Sequence, residues 1–253
     1  MENKIFKYVN KVFEKVMTIA FIVIILMGLY ITADVLYVFK SVSADTISRF
    51  KPDQITEETL REFSDEAVAW VIIDDTTIDY PIMQAEDNVK YLNMDPQGNY
   101  SLAGSLFMDF RNAADFSDSY NLVYGHHMTG GMMLGALDDF RDPEFYETHR
   151  TGTLNTRTTE YPFKVISYVI TTTDCQEIFN PENETDFRTF LKENAEYYFE
   201  EDMTDHILAL TTCKDPATTD RAALIVALCD DEARPNTTIE AAEEESGEND
   251  EQQ

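Results

Sequence analysis

Cationic side chains are scarce in this sequence: 19 Lys and Arg stand against 48 Asp and Glu, leaving a formal charge of −29 over 253 residues. A chain this acidic repels phosphate backbones and anionic headgroups, which excludes nucleic acid as a partner. Cysteine is scarce as well. Three thiols, Cys175, Cys213 and Cys229, cannot make a disulfide scaffold, and an odd number leaves at least one unpaired, so stability must come from packing. Cys175 and Cys229 can be bonded to each other or be two buried free thiols, the second being the commoner fate of a lone cysteine. Internal repeats, an EF-hand pattern and any Cys/His cluster at ligand spacing are all missing. His126 and His127 are adjacent, and neighbouring residues rarely direct both rings at one ion, so neither a metal nor another cofactor is expected.

What the sequence does have is one long apolar run. From Met17 to Ala33 it carries no charge, and Val35 to Phe39 extend the run past Asp34. A bilayer-spanning helix needs roughly 20 such residues. Lys4, Lys7, Lys11 and Lys15 precede the run, so the positive-inside rule places residues 1–15 in the cytoplasm, 16–39 across the membrane as an anchor, and 40–229 outside the cell. A cleaved signal peptide is the rival reading, because Val42-Ser43-Ala44 has the small residues of a cleavage site. The run exceeds the roughly 7–15 residues of a signal-peptide core, which favours retention. Residues 230–253 carry Glu243, Glu244, Glu245, Glu248, Asp250 and Glu251 without an aromatic residue, and are expected to be a disordered, solvated spacer.

Between these ends there is room for one globular domain. Pro52 to Val68 places Ile55, Leu60, Phe63 and Val68 among acidic residues as an amphipathic helical stretch does. Trp70–Ile73 and Thr77–Tyr80, separated by Asp74-Asp75-Thr76, read as a β-hairpin. Further strands are expected at Gly104–Met108, Asn121–Tyr124, Gly152–Asn155, Tyr161–Thr172, Ile207–Thr211 and Ala222–Leu228. The last lacks polar alternation and is therefore expected to be central. Gly131–Phe140 and Pro143–His149 have helical character, with Pro143 suited to a first turn. Asn183–Phe199 reads as a helix with Phe187, Phe190, Leu191 and Tyr198 on one side. The result is a mostly β domain, of barrel type, with added helices.

Cysteine-based acyl transfer needs a thiolate, a histidine to manage the leaving group's proton, and donors for the oxyanion. Tyr124-Gly125-His126 lies past one expected strand, Leu210-Thr211-Thr212-Cys213 ends another, and Arg221 opens the last. The polar stretch Lys214–Asp220 reads as the loop that puts Cys213 and Arg221 at one rim of the sheet. A guanidinium there lowers a thiol pKa and offers forked donors to a carbonyl oxygen. His149 suits a helix C-terminus and His206 the start of a strand.

The order Tyr-Gly-His, Thr-Thr-Cys, then Arg, behind an N-terminal membrane segment, resembles the sortase family over nearly the whole extracellular region. Trp70–Ile73, Ile78–Gln84, Asp87-Asn88 with Tyr91-Leu92, and Gly104–Asp109 with Arg111-Asn112 resemble class B members, as does a helix at Asn183–Phe199. The resemblance implies an eight-stranded barrel with an N-terminal helix and a further helix between the sixth and seventh strands. It also implies a membrane-anchored cysteine transpeptidase of Gram-positive bacteria, with Cys213 as nucleophile, His126 rather than His127 as acid/base, and Arg221 as the essential arginine. Asn88, Leu92 and Tyr124 match positions bordering the substrate groove, and Thr211 and Thr212 are expected to line the cleft beside the thiol. Asp74-Asp75-Thr76 departs from the commoner Asp-Gly-Thr of the family's turn.

The implied partners are secreted proteins bearing a C-terminal sorting signal, cut at a Thr-Gly-like bond, and an amine of a peptidoglycan precursor or a pilin lysine. Two rivals stand beside this reading. A cell-wall cysteine peptidase would only hydrolyse its target, but in papain-like and related wall hydrolases the Cys precedes the His, the reverse of His126 and Cys213. An inert anchored assembly module would have no use for all three reactive residue types.

Overall fold

Strand β1 (Ala67–Ile73) is apolar at every position and buried at all but Ile72, which a strand covered on both faces requires. One cover is α2 (Glu57–Phe63). Thr56 caps it, accepting from Thr59 N while Thr59 Oγ1 accepts from Thr56 N, and its Leu60 is fully buried. Phe63 meets Trp70 edge to face at 5.7 Å, and Trp70 Nε1 donates to Asp79 Oδ1 at 2.6 Å. Leu60, Ala67, Trp70, Met83, Tyr91 and Phe107 form one apolar cluster around this contact. Truncating an aromatic of this kind to alanine costs roughly 3–5 kcal/mol.

The computed structural model describes residues 2–42, 51–52, 54–182, 186–213 and 220–236, which fall into two compact units, Met1–Ser41 and Val42–Gln253. The first unit is one helix, α1 (Glu2–Val42), of which Phe6–Tyr37 is long and apolar enough to cross a membrane. Thr18 and Thr32 donate their hydroxyls to the carbonyls of Glu14 and Gly28 one turn earlier, so neither leaves a bare polar group on the helix surface.

In the second unit the strands after β1 are β2 (Asp79–Met83), β3 (Leu106–Met108), β4 (Tyr120–Met128), β5 (Met132–Met133), β6 (Thr151–Thr156), β7 (Thr159–Thr172), β8 (Tyr197–Tyr198), β9 (Ile207–Cys213), β10 (Asp220–Leu228) and β11 (Arg234–Pro235). Eight of them run in the order β10-β9-β4-β3-β2-β1-β6-β7, and β10 pairs back onto β7, closing a barrel. β10 is bonded on both sides, in keeping with the unbroken apolar run Ala222–Leu228. The remaining helices are α3 (Pro143–Thr148), α4 (Gln176–Phe179) and α5 (Phe187–Asn194).

Several sequence expectations need correction. Val68 belongs to β1 and not to the amphipathic helix, which ends at Phe63. The helical character expected over Gly131–Phe140 is found from Leu134 to Arg141, as a 3-10 helix, while Met132–Met133 pair with β4. Only glycine fits at position 135, where a Cβ would lie 2.0 Å from the Met128 carbonyl oxygen. The helix expected over Asn183–Phe199 spans only Phe187–Asn194, capped by Asp186, after which Tyr197 and Tyr198 pair with Tyr168 and Ser167 of β7. Leu191 is buried, and Phe187, Phe190 and Tyr198 pack on the same apolar cluster as Leu122, Ile166 and Ile225. It lies between β7 and β9, the sixth and seventh barrel strands. Residues 183–185, and 214–219 of the expected Lys214–Asp220 loop, lie outside the described residues, while Asp220 begins β10.

The acidic tail expected from residue 230 begins as part of the fold. Asp230–Glu232 make a 3-10 turn and β11 pairs with Glu160 and Thr159; residues 237–253 lie outside the described residues. His206 fastens this turn, with Nδ1 2.7 Å from Asp230 Oδ1 and Nε2 2.6 Å from the Phe116 carbonyl oxygen. Cys175 and Cys229 are free thiols, both half-buried, and burial raises the pKa of Cys229.

The hairpin between β1 and β2 forms as expected, and its turn accounts for the unusual Asp. Asp75 has φ 58°, the left-handed region that favours glycine. Thr76 compensates locally, its Oγ1 donating to Ile73 O at 2.9 Å and accepting from Ile78 N at 3.0 Å. Asp75→Gly is therefore expected to stabilise the barrel by about 1 kcal/mol, seen as a higher denaturant midpoint at unchanged slope.

Candidate active site

The rim is built by a parallel pairing. β4 and β9 stay in register from Tyr120↔Ile207 to His126↔Cys213, so the backbones of the histidine and the cysteine are direct partners on neighbouring strands, about 4.8 Å apart as such strands lie. Tyr124 pairs with Thr211 and Gly125 with Thr212. The glycine of the Tyr-Gly-His motif is needed here: a Cβ on Gly125 would lie 2.7 Å from Leu134 Cγ and 3.2 Å from Leu106 Cδ1.

His126 is half-buried, and its Nε2 lies 2.7 Å from the carbonyl oxygen of Leu92, the last residue of a 3-10 turn over Lys90–Leu92. A carbonyl only accepts, so Nε2 carries the hydrogen and, in the neutral ring, Nδ1 is the nitrogen left to take a proton. His127 is turned to another partner, with Nε2 2.8 Å from Asp138 Oδ2. His149 caps α3, stacked on Phe145 at 3.7 Å and donating Nδ1–H to the Phe145 carbonyl at 2.9 Å.

Arg221 stands at the start of β10. Its Nη1 donates to Thr212 O at 2.7 Å, the carbonyl immediately before Cys213. The β9–β10 register runs to Ala223↔Thr211, and two further residues along each strand bring Arg221 and Cys213 level. The guanidinium carbon sits 5.9 Å from the centre of the Phe179 ring. A histidine, a cysteine and an arginine from three adjacent strand ends thus share one rim, the combination that thiol-based acyl transfer needs.

The sequence profile of the Sortase domain matches residues 71–229. The chain belongs to the sortase family. Sortase B of Staphylococcus aureus is 32% identical over 164 residues, covering 62% of this chain and 67% of that protein. Sortase B of Listeria monocytogenes is 32% identical over 174 residues, covering 66% and 70%. Among solved structures, the sortase B–substrate complex of Staphylococcus aureus superposes with a TM-score of 0.64 at 27% identity, covering 70% of this chain and 87% of that one. A class B sortase of Streptococcus pyogenes involved in pilus biogenesis gives 0.61 at 32% identity, covering 68% and 97%. This sortase is accordingly a cysteine transpeptidase by family, with class B relatives.

The five residues expected around the groove divide in two. Asn88, Leu92 and Tyr124 are partly exposed beside the rim. Thr211 and Thr212 are instead buried beneath it, 0% and 3% exposed. Their hydroxyls are spent on backbone: Thr211 Oγ1 donates to Val123 O at 3.0 Å, and Thr212 Oγ1 accepts from Ala222 N at 3.0 Å. They clamp β9 to its two neighbours.

Sequence reasoning gave no role to Asp109, which the structure places at the centre of a buried polar cluster. Its carboxylate accepts from Arg111 Nε at 2.8 Å and Nη2 at 2.9 Å, from Asn88 Nδ2 at 2.9 Å and from Tyr124 Oη at 3.0 Å. The signal was present as an Asp-x-Arg at a strand end, a spacing that permits a local fork. Burial alone would raise the pKa of Asp109, but the donors from Arg111, then Asn88 and Tyr124, outweigh it and hold the carboxyl below its ordinary value. A lowered folded pKa contributes stability that is present above the unfolded value of about 3.9 and lost as pH falls through the folded value. The stability gap between wild type and Asp109→Asn, from urea unfolding, is therefore expected to be widest at neutral pH and to narrow steadily in acid.

Proposed function

We propose that this sortase is held in the membrane by α1, with the lysines before it in the cytoplasm and the barrel outside a Gram-positive cell. In this reading the Cys213 thiolate attacks the carbonyl carbon of a Thr-Gly-like bond in the C-terminal sorting signal of a secreted protein. The tetrahedral intermediate collapses, the C–N bond breaks, and the departing amine takes a proton from His126. A thioacyl enzyme remains. An amine, from a peptidoglycan precursor or a pilin lysine, then attacks the thioester carbon and gives its proton to His126 as the C–S bond breaks. Arg221 donates to the oxyanion in both steps.

The observation that carries this reading is the rim itself: His126 and Cys213 as register partners, with the Arg221 guanidinium bonded to the carbonyl next to Cys213. The helix Phe6–Tyr37 supports the anchor. An anchored enzyme would meet exported chains and lipid-linked wall precursor on one surface, which raises their effective concentration.

The test is turnover by the full-length protein in detergent micelles, using fluorogenic NPxTx-type and LPxTG-type peptides with and without an amine acceptor. Cleavage is expected to yield amine-linked product, to vanish in Cys213→Ala and His126→Ala, and to lose about 100-fold or more in kcat in Arg221→Lys, the scale of a lost oxyanion donor. Free acid as the sole product at saturating amine would make it a hydrolase. Failure to trap a thioacyl adduct by mass spectrometry with any peptide would remove the covalent route.

A further inference from the structure

Asp109 directly follows β3 and has no exposed surface, yet the chemistry assigned to the rim makes no use of it. Besides its four side-chain donors it accepts from the backbone N–H of Arg111 at 3.0 Å. A buried carboxylate is a poor way to gain stability, because well-packed apolar groups of similar size often serve as well or better. What such a group does provide is fixed geometry for the donors around it, and two of those donors lead to Phe179.

Arg111 is the first. With Nε and Nη2 forked onto Asp109, it donates from Nη1 to Asn180 Oδ1 at 3.0 Å and from Nη2 to Phe179 O at 3.2 Å, fixing the end of α4. Tyr124 is the second. Its hydroxyl is on Asp109 and its ring lies nearly parallel to that of Phe179, 8° off with centroids 6.4 Å apart. Tyr120 adds a third tie, donating to Ile178 O at 2.9 Å. Phe179 is thus held by backbone and by ring, and it is the aromatic face beside the Arg221 guanidinium.

We propose that Asp109 and Arg111 are positioning residues for Arg221: they fix Phe179, and Phe179 sets where the guanidinium lies against the Thr212 carbonyl at the end of β9. The functional part of this inference rests on the reading of Arg221 as the oxyanion donor; the geometric part does not. Asp109 acts through Arg111, Tyr124 and Phe179, and touches no reacting atom.

Two measurements on the full-length protein in micelles test it. The first is a double-mutant cycle in kcat and KM. Asp109→Asn is expected to lower kcat by about 10- to 100-fold, the cost of a misplaced catalytic group, with KM within about threefold. Placed in an Arg221→Lys background, it should cost less than about threefold more, because its effect is already lost. Arg111→Gln, at a partly exposed position, repeats the test should Asp109→Asn fold poorly. The second is NMR of the arginine Nε–H groups, with the Arg221 signal identified by its loss in Arg221→Lys. That signal should shift or broaden in both variants and stay in place in Asp202→Asn, which breaks a separate ion pair with Arg150 and Lys164. An unmoved Arg221 signal, full additivity in the cycle, or an equal disturbance from Asp202→Asn would overturn the proposal. Wild-type protein that turns over no peptide would sink the functional reading alone, and the NMR would still decide the positioning.

Discussion

The parallel register between β4 and β9 is the constraint on which the rim depends. Seven consecutive pairs, from Tyr120↔Ile207 to His126↔Cys213, bring together residues far apart in sequence. A slip of one residue would send every side chain of one strand to the opposite face and separate histidine from cysteine. Parallel pairs have no tight turn to set their register, so buried polar groups set it here. At the lower end Asn121, fully buried, donates Nδ2–H to Asp118 O at 2.7 Å and to Ile207 O at 3.3 Å. At the upper end Thr211 Oγ1 reaches across to Val123 O. Each donor would be left unsatisfied in the apolar interior if the strands moved, which makes misregistration costly.

Much of the architecture was legible because its signals are local. The Trp70–Tyr80 hairpin, the apolar stretch of β10 and the Pro143 start of α3 each follow from residues within one element. Cys213 and Arg221 stood out because one ends and the other opens an expected strand, and His126 because it follows Tyr-Gly, although β4 runs on through it to Met128. The departures have one cause, backbone approaches between elements that sequence periodicity does not encode. Gly135 lies against the Met128 carbonyl within the 3-10 helix, a contact no local pattern announces. Tyr198 fits the pattern of a helix face, but β7 offers it and Tyr197 a free edge and takes them as β8. Thr211 and Thr212 read as cleft residues beside the thiol, yet the strands on both sides of β9 claim their hydroxyls.

Asp109 marks the same limit at the site. Alone it reads as one more carboxylate in an acidic chain. Its significance appears only when β3, β4, α4 and the 88–92 turn converge on it. The left-handed Asp75 shows the opposite case: an unfavourable residue for its turn, tolerated because Thr76 bonds both flanking backbone groups.

The strand directions carry one more consequence. β1, β4, β7 and β9 all run the same way around the barrel. Cys213 and His126 lie at their downstream ends. Among the described residues the chain enters β1 and leaves β11 at the upstream ends: Arg157 Nε reaches the Ala67 carbonyl at 2.9 Å, and Asn236 Nδ2 the Thr156 carbonyl at 2.7 Å. At about 3.3 Å per residue the six steps from Tyr120 to His126 separate the two levels by about 20 Å. A tether, tag or solid support joined at residue 236 therefore begins at the end of the barrel away from His126 and Cys213.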